Sequence, residues 1–143
     1  MSTNQENFYA YLAGLLDGDG SIYVRAKPNS SYRYGYQIAP YVAFFQKATD
    51  TNFSKLMERI GYGRLRIRND EMYEFTINKQ AELVDFLDKV KPFLFLKRLQ
   101  ADLLLEILED KKKLSSQQDF TKMLKKIDYF RELNYSKRRK TRY

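Results

Sequence analysis

The sequence predicts an α+β fold, an αββαββ core followed by C-terminal helices. Three observations carry this: two pairs of alternating apolar and polar runs around a turn, a helix-period segment ahead of each pair, and only helical periods after residue 80. With 143 residues the chain suits one domain, since domains commonly run to roughly 100–200 residues. That domain is expected over 1–135, with 136–143 as a basic tail.

From Asn7 to Asp17 apolar and small residues fall on helical periods. Phe8, Tyr11, Leu12, Leu15 and Leu16 share one side and Ala10, Ala13, Gly14 and Asp17 the other, so both faces of this helix are expected to be covered. Ile22, Val24 and Ala26 then alternate with Tyr23, Arg25 and Lys27, a strand with a cationic outer face, before a turn signal at Pro28-Asn29-Ser30-Ser31. Tyr34 to Gln46 alternates again, and Pro40 on its apolar side marks an edge or a bulge. Phe53, Leu56, Met57 and Ile60 keep the spacing of a second helix that Gly61 stops. Arg64 to Arg68, a turn at Asn69-Asp70-Glu71, and Met72 to Ile77 make a second hairpin. Leu83, Phe86, Leu87 and Val90 mark a third helix ended by Lys91-Pro92, and Leu99, Leu103, Ile107 and Leu108 a fourth. Ser116 with Asp119 resembles a capping box opening a last helix with Phe120, Met123, Leu124, Ile127 and Phe130 inward. The tail carries five cations and no acid, and is expected to be mobile until a polyanion orders it. The two αββ units are alike in topology only: the second helix ends Glu58-Arg59-Ile60-Gly61, without the acids that end the first.

Lys and Arg total 26 against 18 for Asp and Glu, a formal net charge of +8 with a pI near 9.5, which points to a polyanionic partner. The absence of Cys and His excludes disulfides, thiol nucleophiles, thiolate or imidazole metal ligands and the commonest general base. A metal would have to be held by oxygen. No apolar run approaches the ~18 residues of a membrane span, and Met1 to Asn7 lack the pattern of a signal peptide. A soluble intracellular protein is expected, cytoplasmic or organellar, with no membrane partner.

Leu12-Ala13-Gly14-Leu15-Leu16-Asp17-Gly18-Asp19-Gly20 places two carboxylates at a helix C-terminus, where the backbone dipole is already negative. Such charges cost stability unless something positive offsets them, and a hard divalent ion takes oxygen ligands. Ala10, Ala13 and Gly14, with Asp17, form a face through which a twofold-related copy could approach closely and join both acidic ends. A plain glycine-rich turn, with both Asp capping backbone groups, explains the same residues without a ligand. An EF-hand does not: with Gly20 as the sharp-turn glycine, Leu15 takes the first ligand position and Ala26 the place of the bidentate Glu.

Seven of the nine letters from Leu12 to Gly20 match the LAGLIDADG signature, Leu16 and Gly18 being the variable positions. From about Phe8 to about Asp102 the chain resembles the single-motif, homodimeric branch of the LAGLIDADG homing endonucleases. The matching segments include Lys27-Pro28-Asn29, Phe45-Gln46-Lys47, Ile60-Gly61-x-Gly63 and Pro92-Phe93-Leu94-x-Leu96-Lys97-x-x-Gln100-Ala101. The resemblance implies a saddle-shaped antiparallel sheet and Asp19 as direct ligand of a catalytic Mg²⁺, with the Gly18 carbonyl beside it and Asp17 in a structural role. Mn²⁺ would substitute, and Ca²⁺ would bind without supporting cleavage. It further implies a homodimer supplying one Asp19 per subunit, Gln46 orienting active-site water and Lys97 stabilising charge. Taken singly, Gln46 and Lys97 read as an ordinary strand-end amide and a solvated lysine. One position departs from the pattern: Asp50 stands where a close relative places a basic residue beside the active site.

A nucleic-acid surface can be argued from the residues themselves. Between Asp19 and Asp50 there is no acid, while Arg25, Lys27, Arg33 and Lys47 occur there. Arg64, Arg66 and Arg68 share a strand face by the period of two. Such a ribbon suits a major groove, with Arg reading guanine, Gln37 reading adenine, and Tyr23, Tyr32, Tyr34 and Tyr41 reaching phosphates or bases. Asn29, Glu74 and Thr76 complete the candidate readers. Lys111 to Lys113 and the tail, with Arg138 and Arg139, would supply sequence-independent phosphate contacts. A solvated basic sheet face is the plainer reading, which three Arg on one short strand disfavour.

The leading expectation is therefore a Mg²⁺-dependent, site-specific double-strand DNA endonuclease acting as a homodimer on a long, nearly palindromic site. The alternative is an RNA-binding splicing cofactor for its own intron, or a DNA-binding regulator, on the same scaffold without cleavage. A purely structural dimerisation module is the third reading.

Overall fold

The computed structural model describes residues 3–142, with side chains from 3 to 134. The elements run α1 (Thr3–Asp19), β1 (Ser21–Pro28), β2 (Tyr36–Lys47), α2 (Thr51–Glu58), β3 (Arg64–Ile67), β4 (Met72–Ile77), α3 (Gln80–Val90), a 3-10 turn (Lys91–Phe93), α4 (Arg98–Lys112) and α5 (Gln117–Arg142). This is the expected αββαββ order with helices after it. The four strands form one sheet in the order β1-β2-β4-β3, with β4 antiparallel to both β2 and β3. No helix among the described residues is long and apolar enough to cross a membrane.

The chain folds as two compact units, one of residues 1–22 and 41–98 and the other of 23–40 and 99–143. In the first, α1 buries Phe8, Tyr9, Leu12, Ala13 and Leu16, while Val42 and Phe44 of β2, Phe75 and Ile77 of β4, and Leu83, Phe86, Leu87 and Val90 of α3 complete the core. Aromatic edges lock it: the Phe86 ring lies 6.0 Å from Phe44 at 89° and 6.3 Å from Tyr9. Gly20 ends α1, its N–H donating to the Leu16 carbonyl at 3.1 Å. A Cβ there would strike Leu16 and crowd the Ala43 carbonyl, so only glycine lets α1 turn this closely onto β2.

The face assignment on α1 differs from expectation in two places. Tyr11 is 60% exposed and Ala13 is fully buried, because a helix apolar all round gives no periodic contrast and the strands it meets choose the face. Its outward side instead carries Asn7, Tyr11, Gly14 and Gly18. On β3, Leu65 and Ile67 lie on the core side yet remain exposed, Ile67 at 62%, because β3 is a four-residue edge strand.

In the second unit, α4 buries Leu103, Leu104, Ile107 and Leu108, and α5 buries Phe120, Met123, Ile127 and Phe130. The expected cap holds α5: the Asp119 N–H donates to Ser116 Oγ at 3.1 Å. The reciprocal bond goes one residue further back, to the Ser115 N–H at 3.2 Å. Phe120 stacks on Tyr34 of the β1–β2 turn, with ring centroids 4.9 Å apart.

Candidate active site and nucleic-acid interface

The two acids that end α1 have opposite circumstances. The Asp17 carboxylate accepts three consecutive backbone N–H bonds, from Phe95 at 2.8 Å and Leu96 at 3.2 Å on Oδ2 and from Lys97 at 2.9 Å on Oδ1. Lys97 Nζ in turn donates to the Asp17 carbonyl at 2.8 Å, placing its ammonium at the negative end of the helix. The hydrogen-bonding demand of the Asp17 carboxylate is thus met by the protein itself. Asp19 is exposed, and among the described residues its carboxylate has no hydrogen bond or ion pair. The sequence pattern does not separate the two, because the amides that bind Asp17 lie some 80 positions along the chain.

At the other end of the candidate site, Asp50 caps α2. Its backbone is extended (φ −92°, ψ 97°) and Oδ1 accepts from the Asn52 N–H at 3.0 Å. Its second oxygen accepts from Gln46 Nε2 at 3.1 Å. The Asp50-Thr51-Asn52 run is a cap signal that the sequence reading, which began the second helix at Phe53, passed over. Gln46 and Asp50 also line a recess of about 260 Å³ with Tyr11, Leu15, Phe45, Asn52, Phe53 and Leu56. The contacts therefore join Asp17 to Lys97 and Gln46 to Asp50. Asp19, Gln46 and Lys97 make no hydrogen bond to one another among the described residues, and no three carboxylates cluster there as a ready metal cage.

Asp19 nevertheless fits a hard cation by its chemistry: an exposed carboxylate, without a partner among the described residues, at a dipole end that favours positive charge. Of the expected dimer face, Gly14 is exposed and Ala10 half-buried, whereas Ala13 is covered within the chain and Asp17 is engaged by residues 95–97. Ala13 is therefore not available to a partner.

In the first unit, the register sets Arg64 opposite Thr76 and Arg66 opposite Glu74, with Leu65 opposite the buried Phe75. The two Arg, Glu74 and Thr76 consequently share the face turned away from the core. Arg66 Nε pairs with Glu74 Oε1 at 2.7 Å. Arg68 lies just past the strand end, pairs with Asp70 at 3.0 Å and sets its guanidinium 5.7 Å from the Phe45 ring centroid. Lys47 is exposed and Tyr41 half-buried.

In the second unit, Arg25, Lys27 and Arg33 are exposed and Gln37 is half-buried. Asn29 Oδ1 accepts from the Ser31 N–H at 3.0 Å and from its hydroxyl at 2.7 Å, so this side chain builds the turn. Tyr23 corrects an expectation: only 8% exposed, its ring packs edge-on against Phe130 at 6.3 Å. Alternation put it on the outer strand face, but a helix more than 100 residues later covers it. Arg138 and Arg139 lie outside the residues whose side chains are described.

A further network was not foreseen. The Tyr62 hydroxyl donates to Asp85 Oδ2 at 2.6 Å, and Lys89 Nζ donates to the same oxygen at 2.9 Å. Burial, reinforced by Asp85, pushes the Tyr62 hydroxyl well up, while the Tyr62 hydrogen bond holds the Asp85 carboxyl below the usual carboxylate range.

Comparison with known proteins bears on all of this. A family model described as LAGLIDADG endonuclease matches residues 12–100. The DNA endonuclease I-CreI of Chlamydomonas reinhardtii is 37% identical over 138 residues, 95% of this chain and 84% of that one. The DNA endonuclease I-CvuI of Chlorella vulgaris is 37% identical over 102 residues, 71% of this chain and 63% of that relative. A crystal structure of the homing endonuclease I-CvuI with its target in the presence of Ca superposes with a TM-score of 0.86 at 28% identity, covering 92% of this chain and 85% of that one. The archaeal intron-encoded homing endonuclease I-Vdi141I, complexed with DNA, superposes at 0.80 with 18% identity over 90% and 85%, a likeness of fold alone.

Proposed function

Because the chain belongs to the LAGLIDADG endonuclease family, we propose that it is a homing endonuclease, cutting both strands of a long, nearly palindromic DNA site as a homodimer with Mg²⁺. The observation that carries this reading is the asymmetry at the end of α1: the Asp17 carboxylate is bonded to residues 95–97, and Asp19 is exposed and, among the described residues, unpartnered. Asp19, with the Gly18 carbonyl beside it, would hold the cation. When bound, a divalent ion supplies a more acidic water and charge stabilisation at the leaving oxygen. One such carboxylate per chain makes two copies the economical way to cut two strands, and the exposed Gly14 and half-buried Ala10 suit close approach of a second α1.

The chain's own groups do the rest. Lys97, held at the α1 terminus by the Asp17 carbonyl, brings a fixed positive charge to where the phosphodiester accumulates negative charge. Gln46 orients water. Arg64 and Arg66 read base edges, Glu74 and Thr76 lie between them and β2, and Arg25, Lys27 and Arg33 meet phosphates or bases. Asn29 shapes the turn, Gln37 and Tyr41 are secondary readers, and Lys47 with the Arg138 and Arg139 segment adds phosphate contacts.

A Mg²⁺-dependent cleavage selection from a randomised duplex library tests the proposal. Recovery of cut sites with approximate twofold symmetry is expected. Salt-sensitive binding to structured RNA or duplex DNA with no cutting would move the assignment to an intron splicing cofactor or a regulator.

A further inference from the structure

The geometry points to Asp50 as the positioning residue that fixes which atom Gln46 presents to the reaction. This rests on Gln46 orienting water, as proposed above. The Asp50 carboxylate serves two masters. Oδ1 is committed to the Asn52 N–H at 3.0 Å, at a helix N-terminus where the dipole favours its charge. Oδ2 is therefore held in one place, and it accepts from Gln46 Nε2 at 3.1 Å. An ionised carboxylate can only accept, so the Gln46 amide must turn its nitrogen inward and its Oε1 outward.

That orientation decides what Gln46 can do. With Nε2 turned toward Asp50 and one of its two hydrogens committed there, the atom facing outward is the Oε1 acceptor, and among the described residues it accepts no bond. An outward acceptor receives a hydrogen bond from a water O–H and so turns a lone pair of that water toward phosphorus. An outward N–H donor would bind a phosphate oxygen instead. Asp50 thus selects water orientation over phosphate binding. Its negative charge works in the same sense, since it disfavours a phosphate oxygen at this spot. The acid at a position where a basic residue was expected is then a functional part of the site.

Asp50→Asn separates this role from capping. Asn caps a helix as well as Asp does, so stability stays near wild type, but its Nδ2 now faces Gln46 and demands an acceptor. The Gln46 amide flips and presents Nε2. Single-turnover cleavage of the selected duplex should fall roughly 10- to 100-fold, with melting temperature unchanged and DNA binding no weaker. Gln46→Glu in the Asp50→Asn background restores an outward acceptor at the original net charge, and should recover most of the rate. Wild-type cleavage by Asp50→Asn, while Gln46→Ala is slow, would overturn the positioning role and leave the reading of Gln46 standing. So would a double variant as slow as Asp50→Asn. Wild-type cleavage by Gln46→Ala would overturn both.

Discussion

Asp17 and Lys97 hold each other in both directions: the Asp17 carboxylate accepts the Lys97 backbone N–H at 2.9 Å, and the Lys97 ammonium donates to the Asp17 carbonyl at 2.8 Å. One residue pair thereby ties the end of α1 to the segment entering α4 and aims a cation at the helix terminus. With Phe95 and Leu96 adding two more N–H donors, Asp17→Asn should cost about 1.5–3 kcal/mol, the scale for hydrogen bonds to a charged group. Urea unfolding at pH 7 checks this. A loss below the range of ordinary surface substitutions would deny Asp17 its structural role.

The Tyr62–Asp85–Lys89 network predicts a pH signature. Asp85's carboxyl is held low, chiefly by the Tyr62 hydroxyl. A folded value below the unfolded one gives stability that is present above the usual carboxylate range, near pH ~4. It is lost as pH falls through the folded value. Tyr62→Phe removes the main cause, so it should cost about 1 kcal/mol at pH 7 and less at low pH. Melting temperatures of both proteins at pH 7 and in acid read the difference, and an equal gap at both pH values would contradict it.

Arg66 and Glu74 form an ion pair whose Arg side chain is 61% exposed, so its removal should leave stability within about 0.5 kcal/mol. Its effect should fall on recognition. Arg66→Ala is expected to cost about 1–3 kcal/mol of discrimination at one base pair if the Arg reads a guanine. Cleavage across single-base variants of the selected site measures this. Uniform weakening would make Arg66 a phosphate contact.

Glu71, at the tip of the β3–β4 turn, sits at φ 62°, in the left-handed region that side chains rarely adopt. Glu71→Gly should relieve about 1 kcal/mol and raise the melting temperature by a few degrees. A lowered value would show that the side chain makes a contact outweighing its strain.

Hairpins and helices were legible because period two and period 3.6 can be told apart along this chain, and the order αββαββ followed from them, although α1 lacked the contrast that would have assigned its faces. Legibility failed where the deciding partner is distant in sequence. Tyr23 alternates onto the outer face of β1, yet Phe130 covers it; Ala13 looks like an interface residue, yet the core takes it. The same limit hid the partners of Asp17: the family resemblance gave it a structural role, but nothing near it announces the amides of residues 95–97. Asp50 was different: its cap was readable from Asp-Thr-Asn alone, and only its hold on Gln46 depended on how the strand end meets the helix. Tyr62 and Asp85, 23 positions apart, carried no spacing signal at all.

The division of labour between the two acids of α1 is tested most directly by Asp19→Asn on the selected duplex with Mg²⁺. Asp19 lies exposed at the unfavourable end of a helix dipole, so the neutral variant should be as stable as wild type, or about 0.3–1 kcal/mol more so. It should bind the duplex with wild-type affinity or better and fail to cut it. Cleavage at the wild-type rate would contradict the central claim that Asp19 carries the reaction.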